Sequence, residues 1–145
     1  MLSPIYITKI CQLKKRRLSK GYKKVIFMRA GLNYGFVGCG MMGQEHIRNL
    51  NLIDGSKIAG IVEPDRDMRQ KARTIAPEAK FVSSIQELLT IQSIDCMVIA
   101  SPNYLHLSQF EEIFKIRPLP LMIEKPLFTS PDDNARISHL IENYT

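Results

Sequence analysis

The run Gly38-Cys39-Gly40-Met41-Met42-Gly43 limits what this chain can become more than any other segment. Glycines at GxGxxG spacing occur in many turns, so the run alone says little. Here it follows a short apolar segment, Asn33 to Val37, and precedes an amphipathic one, Gln44 to Leu50. It therefore reads as the turn between a strand and a helix. In that setting Gly38 permits a tight turn, Gly40 leaves the backbone open to a diphosphate, and Gly43 lets helix and strand pack closely. The helix N-terminus adds unpaired N–H groups and partial positive charge. All six residues, Cys39, Met41 and Met42 included, are candidate dinucleotide contacts.

The same alternation continues. Lys57 to Val62 reads as a second strand, and Arg66 to Ala76 as a helix stopped by Pro77. Ala79 to Val82 reads as a third strand. Ser84-Ile85-Gln86-Glu87 has the capping-box pattern ahead of Leu88 and Leu89. Asp95 to Ala100 is a near-continuous apolar run, as expected of a parallel strand covered on both faces. Tyr104 to Lys115 is helical, Leu119 to Ile123 is a fifth strand, and Ser130-Pro131-Asp132-Asp133 opens a helix running to about Asn143. Alternation at this spacing predicts an α/β doubly wound parallel sheet.

Several function classes fall away on composition. No stretch approaches the ~20 apolar residues of a membrane-spanning helix, so no membrane partner is expected. Cys11, Cys39 and Cys96 are odd in number and widely spaced, which argues against a disulfide framework and a zinc site and for a reducing, cytoplasmic setting. No metal is expected. The net charge of +6 comes from residues 1–30, which hold nine basic residues and no acid, leaving eleven basic against fourteen acidic in residues 31–145. The leader reads most simply as a disordered extension, with an organelle transit peptide and a basic tail for nucleic acid or anionic lipid as alternatives. Without aromatic interleaving or a recognised motif, nucleic acid is not the expected partner.

Glu63 stands directly after the second strand, 20 residues beyond Gly43. An acid there accepts hydrogen bonds from the adenine ribose hydroxyls and repels a 2′-phosphate, which favours NAD. Arg66 and Arg69 lie just downstream and either can swing toward such a phosphate, so NADP stays open.

Four segments together, Gly38 to Gly43 with Gln44-Glu45-His46, Glu63-Pro64-Asp65, Ser101-Pro102-Asn103-Tyr104-Leu105-His106 and Glu124-Lys125-Pro126, resemble the Gfo/Idh/MocA oxidoreductases. That family, which includes glucose-fructose oxidoreductase and inositol 2-dehydrogenases, carries GxGxxGxxH, an acid, [ST]PNxxH and EKP in this order in an N-terminal Rossmann domain. The resemblance covers roughly Asn33 to Tyr144. It implies NAD(P)-dependent chemistry on the CH–OH group of a sugar, polyol or similar compound. It places Ser101, Pro102 and Asn103 beside the nicotinamide side of the cofactor, with His106 and Glu124 in the same site. Lys125 becomes the candidate catalytic residue, able to hydrogen-bond the reacting oxygen and assist proton transfer, with Glu124 holding it in place. His46 and His106 are expected to position or pack, and His139 to lie on the surface.

Family members continue into a β-rich substrate domain bearing a catalytic histidine, which is not found in these 145 residues. The expected architecture is therefore a basic leader over 1–30 and a Rossmann domain over 31–145, truncated before that domain. Two readings stay open: the cofactor-binding half of an oxidoreductase, or a non-catalytic dinucleotide-binding module without turnover of its own. Other users of the fold are disfavoured, since the YxxxK pair of short-chain dehydrogenases is absent.

Overall fold

The structure, a computed structural model, describes residues 31–127, 129–130 and 133–142. The leader lies outside the described residues. The chain forms five parallel strands, β1 (Asn33–Val37), β2 (Lys57–Val62), β3 (Lys80–Val82), β4 (Cys96–Ile99) and β5 (Leu121–Ile123), in the order β3-β2-β1-β4-β5. Helices α1 (Met41–Leu50), α2 (Arg66–Ile75), α3 (Ile85–Leu89), α4 (His106–Ile116) and α5 (Asn134–Glu142) alternate with them. The expected α/β doubly wound Rossmann sheet is what the chain builds.

Each face of the sheet carries its own core because neighbouring strand residues point to opposite sides. On β1 and β4, Phe36 and Val98 join Ile47 of α1 and Ala72 of α2 on one face. Val37, Met97 and Ile99 join Leu88 of α3, Phe110 and Ile113 of α4, and Ile137 of α5 on the other. The strand order reverses between β1 and β4, so the loops leaving these strands diverge to opposite faces. A crevice opens there, beyond the carboxyl ends of the strands.

The elements sit close to where the residue pattern puts them, and the differences have local causes. Helix α1 starts at Met41, ahead of the expected Gln44, because the glycine run forms the helix's own first turn. Strand β5 starts at Leu121 and not at Leu119, since Pro120 has no N–H for the ladder and supplies only its carbonyl, to Met97 N. Ala79 belongs to a turn, its N–H donated to Ala76. The expected cap on α3 is present: Ser84 Oγ accepts from Glu87 N at 3.1 Å. Glu87, however, reaches past Ser84 to the N–H and hydroxyl of Ser83, and those bonds hold its carboxyl below the usual range. A 3-10 turn, Asn103–Leu105, precedes α4, which starts at His106 and not at Tyr104. Helix α5 is described from Asn134; Pro131, Asp132 and Asn143, parts of its expected span, lie outside the described residues. Among the described residues no helix is long and apolar enough to cross a membrane.

Arg117, just past α4, fastens the segment before β4. Its Nη1 donates to the carbonyls of Leu89 and Ile91 and its Nη2 to those of Gln92 and Ile94, at 3.0–3.3 Å. Replacing it with methionine keeps much of the apolar stem but leaves four carbonyls without their charged donor. Arg117→Met is expected to lower stability by about 2–3 kcal/mol, read as a fall in the urea midpoint with the slope unchanged.

Candidate functional site

All five strands send a loop into one cleft of about 890 Å³, within the range typical of ligand and cofactor sites. Gly38, Gly40, Met41 and Met42 come from the end of β1, and Glu63 from β2. Ser83 and Ser84 follow β3, Ser101 to His106 follow β4, and Glu124 and Lys125 follow β5.

The three loop glycines answer to different neighbours. Gly38 has φ +86°, and a Cβ there would lie 2.6 Å from the Ser101 backbone. A Cβ on Gly43 would lie 2.6 Å from the Gly38 carbonyl oxygen, which is why α1 can pack so closely on the loop. Gly40 differs, because a Cβ there would meet nothing within 4 Å. Gly40 is also the N-cap of α1, at φ −61° and ψ −162°. No side chain caps the helix, and no acid sits in its first turn. The first amides of a helix have no intrahelical partner. Here they face an open cleft, with the positive end of the helix dipole behind them.

Glu63 anchors the loop from below. The residue is 6% exposed, and its carboxylate accepts from Cys39 N at 2.7 Å and from Asp65 N at 2.9 Å. Two bonds from main-chain amides hold this carboxylate in place beneath the loop. Arg69 donates from Nε and Nη2 to the Glu63 carbonyl at 2.8 and 2.6 Å. On the opposite wall, Ser101 Oγ donates to Gln109 Oε1 at 2.5 Å. His106, 1% exposed, stands with Nε2 2.9 Å from the Ser101 carbonyl and Nδ1 2.9 Å from the Pro126 carbonyl.

Residues 32–144 match the model of the oxidoreductase family with an NAD-binding Rossmann fold, the Gfo/Idh/MocA group. The chain belongs to this family. It is 32% identical over 114 residues to inositol 2-dehydrogenase of Corynebacterium glutamicum, across 78% of this chain and 34% of the relative. It is 33% identical over 104 residues to 2,7-anhydro-N-acetylneuraminate hydratase of Escherichia coli, across 70% of this chain and 26% of the relative. In fold it follows myo-inositol dehydrogenase of Lactobacillus casei, solved with NAD(H) and myo-inositol, at a TM-score of 0.68 and 24% identity, across 75% of this chain and 32% of that one. The chain spans about a third of the length of the curated relatives it matches.

The bare helix start, the open space at Gly40 and the anchored acid fit the NAD of this family's Rossmann domain. Of the residues expected at the site, Gly38, Gly40, Met41, Met42, Glu63, Ser101, Pro102, Asn103, His106, Glu124 and Lys125 line the cleft. Cys39 does not. Its side chain is fully buried in the core beneath the loop, its N–H is given to Glu63, and its carbonyl accepts from Gln44 Nε2 at 3.0 Å. Gly43 is buried against Gly38 and shapes the loop from behind. A further correction concerns Glu124. Its carboxylate lies 2.5 Å from His46 Nε2 and pairs with that ring, where Lys125 was the expected partner. Arg69, expected to be able to swing toward a 2′-phosphate, is held by the Glu63 carbonyl, whereas Arg66 is exposed.

Other lining residues escaped the sequence reading. Gln109 and Glu112 share one face of α4 with His106, at i+3 and i+6. That polar stripe was readable beside the apolar one formed by Leu107, Phe110 and Ile113. Ser83 and Ser84 sit after β3 as Glu63 sits after β2, so strand ends alone would have nominated them.

Burial, reinforced by the Glu63 carboxylate, pushes the Cys39 thiol up from 9.0 to about 12. Folding therefore keeps that proton while the unfolded chain loses it above pH 9, so stability falls as pH climbs from about 9 toward 12. Two outcomes are expected. Iodoacetamide at pH 8.5 modifies Cys39 only after urea is added, as mass spectrometry of its peptide will show. The alkaline loss of stability is also shallower in Cys39→Ala.

Proposed function

We propose that this domain holds NAD against a polyol, sugar or related hydroxy compound, as the cofactor-binding half of an oxidoreductase. The observation that carries this reading is that Gly40, Asn103 and Lys125 line one cleft. A dinucleotide diphosphate on the Gly40–Met42 amides has Glu63 on its ribose side and the Ser101–Asn103 turn on its other side, with Lys125 at the far rim. NAD, when bound, takes up or supplies the hydride. Lys125, as an ammonium, donates a hydrogen bond to the substrate oxygen and steadies the charge that grows there. Ser101, Pro102 and Asn103 border the redox-active ring.

The relatives support the substrate class. Two carry names that point to different outcomes, a dehydrogenase of inositol and a hydratase of an anhydro sugar acid. Both act on polyhydroxylated compounds, so this domain fixes the cofactor while the rest of the cleft selects the product. Lys125 is exposed at the rim of the cleft. Catalysis needs donor, acceptor and proton carrier in one geometry. The chain by itself is accordingly expected to bind NAD(H) and to show negligible turnover with an inositol and sugar panel. A cytoplasmic, reducing location belongs to the same reading, supported by the buried, unbridged thiol of Cys39.

Gly40→Asp tests the binding half cleanly. The backbone there suits any residue, nothing stands within 4 Å of the new Cβ, and aspartate is a good N-cap. The variant is expected to keep its melting temperature while placing a carboxylate where the diphosphate belongs. NADH affinity, followed by its fluorescence, should fall at least about tenfold, or ~1.4 kcal/mol. Superimposable titrations of the two proteins would refute NAD binding at this loop.

A further inference from the structure

Lys125 is exposed, so its place on the cleft rim is set by the backbone on either side of it. Both neighbours are tied to a histidine. On one side, Glu124 donates its N–H to the Ile99 carbonyl at 2.9 Å, and its carboxylate meets His46 of α1. On the other, the Pro126 carbonyl meets His106 Nδ1, and the second nitrogen of the same ring meets the Ser101 carbonyl. His106 thus bridges the two turns that flank the reacting end of the cleft, and the residue itself is only 1% exposed.

We infer that His106 is a positioning residue that sets Lys125 through the Pro126 carbonyl, an inference that rests on the assignment of Lys125 to the reacting end. Carbonyl oxygens only accept, so each ring nitrogen must donate to make its bond. A neutral imidazole, with a single N–H, completes one tie at a time, and both are made together only when both nitrogens carry protons. The two ties are therefore separable by chemistry. Asparagine places a donor near the Nδ1 position and can keep the Pro126 tie. Glutamine places its donor near the Nε2 position and can keep the Ser101 tie.

The experiment compares the full chain with His106→Asn and His106→Gln. Lysine acylation by acetic anhydride is read peptide by peptide, with and without NADH, using the exposed Lys57 and Lys71 as internal standards. The Pro126 carbonyl 13C resonance is followed without NADH. NADH should protect Lys125 in the wild type and nearly as well in His106→Asn. Protection should drop about fivefold in His106→Gln, the worth of one ordinary hydrogen bond. The carbonyl resonance should hold its position in the asparagine variant and move upfield in the glutamine variant. Each variant leaves one of the two carbonyls without its donor, so similar melting temperatures would show that the contrast is not one of folding. Equal behaviour of the two in both readouts would overturn the role of His106. If NADH binds the wild type without protecting Lys125, the assignment of Lys125 fails, whereas absence of NADH binding defeats the proposed function itself.

Discussion

The first turn of α1 has to stay bare, and much of the cleft is arranged around that requirement. A helix start with no cap leaves several amides unpaired, a cost that proteins normally offset with a serine, threonine or aspartate. Elsewhere this chain does so: Asp65 caps α2 and Ser84 caps α3. Of the four α-helices whose caps are described, α1 and α4 begin without a side-chain acceptor, but α4 continues directly from a 3-10 turn, and only α1 begins at a glycine. Gly38 and Gly43 are required by protein atoms close to them, but Gly40 borders only open space. Such a glycine adds nothing to packing, and what it leaves is room for a ligand with negative charge.

Glu63 makes that exposed turn stable enough to keep. By accepting from Cys39 N and Asp65 N it joins the β1 loop to the β2 end, and Arg69 closes over its carbonyl. The acid expected to meet a ribose therefore also holds the loop beneath the diphosphate site. Cys39 absorbs the consequence: burial and the nearby carboxylate push its thiol up to about 12. The opposite side of the cleft uses imidazoles for the same purpose, His106 between two turns and His46 against Glu124.

Much of the fold was legible because its signals are local and repeated. Strand β2 and its limits follow from the apolar run Lys57–Val62, and the glycine spacing marked the β1–α1 turn correctly. What could not be read depended on contacts far apart in sequence. That Glu124 pairs with a histidine 78 residues away, and not with the adjacent lysine, follows from β5 lying beside β4 with α1 close by. That the Cys39 side chain turns into the core follows from the tight turn at Gly38, at φ +86°, not from its place in a motif. Boundaries moved for small reasons, such as the missing N–H of Pro120. The α4 stripe of His106, Gln109 and Glu112 was present in the sequence as a helical period, and only the cleft gives it meaning.

The most direct test is an amide-resolved 15N titration of the chain with NAD. If the bare turn receives the diphosphate, the amides of Gly40, Met41 and Met42 should shift furthest and together, while those at the capped start of α2, Arg66 to Met68, stay nearly still. Shifts spread over the surface, or none at Gly40 to Met42 at saturating NAD, would contradict the role given to this helix.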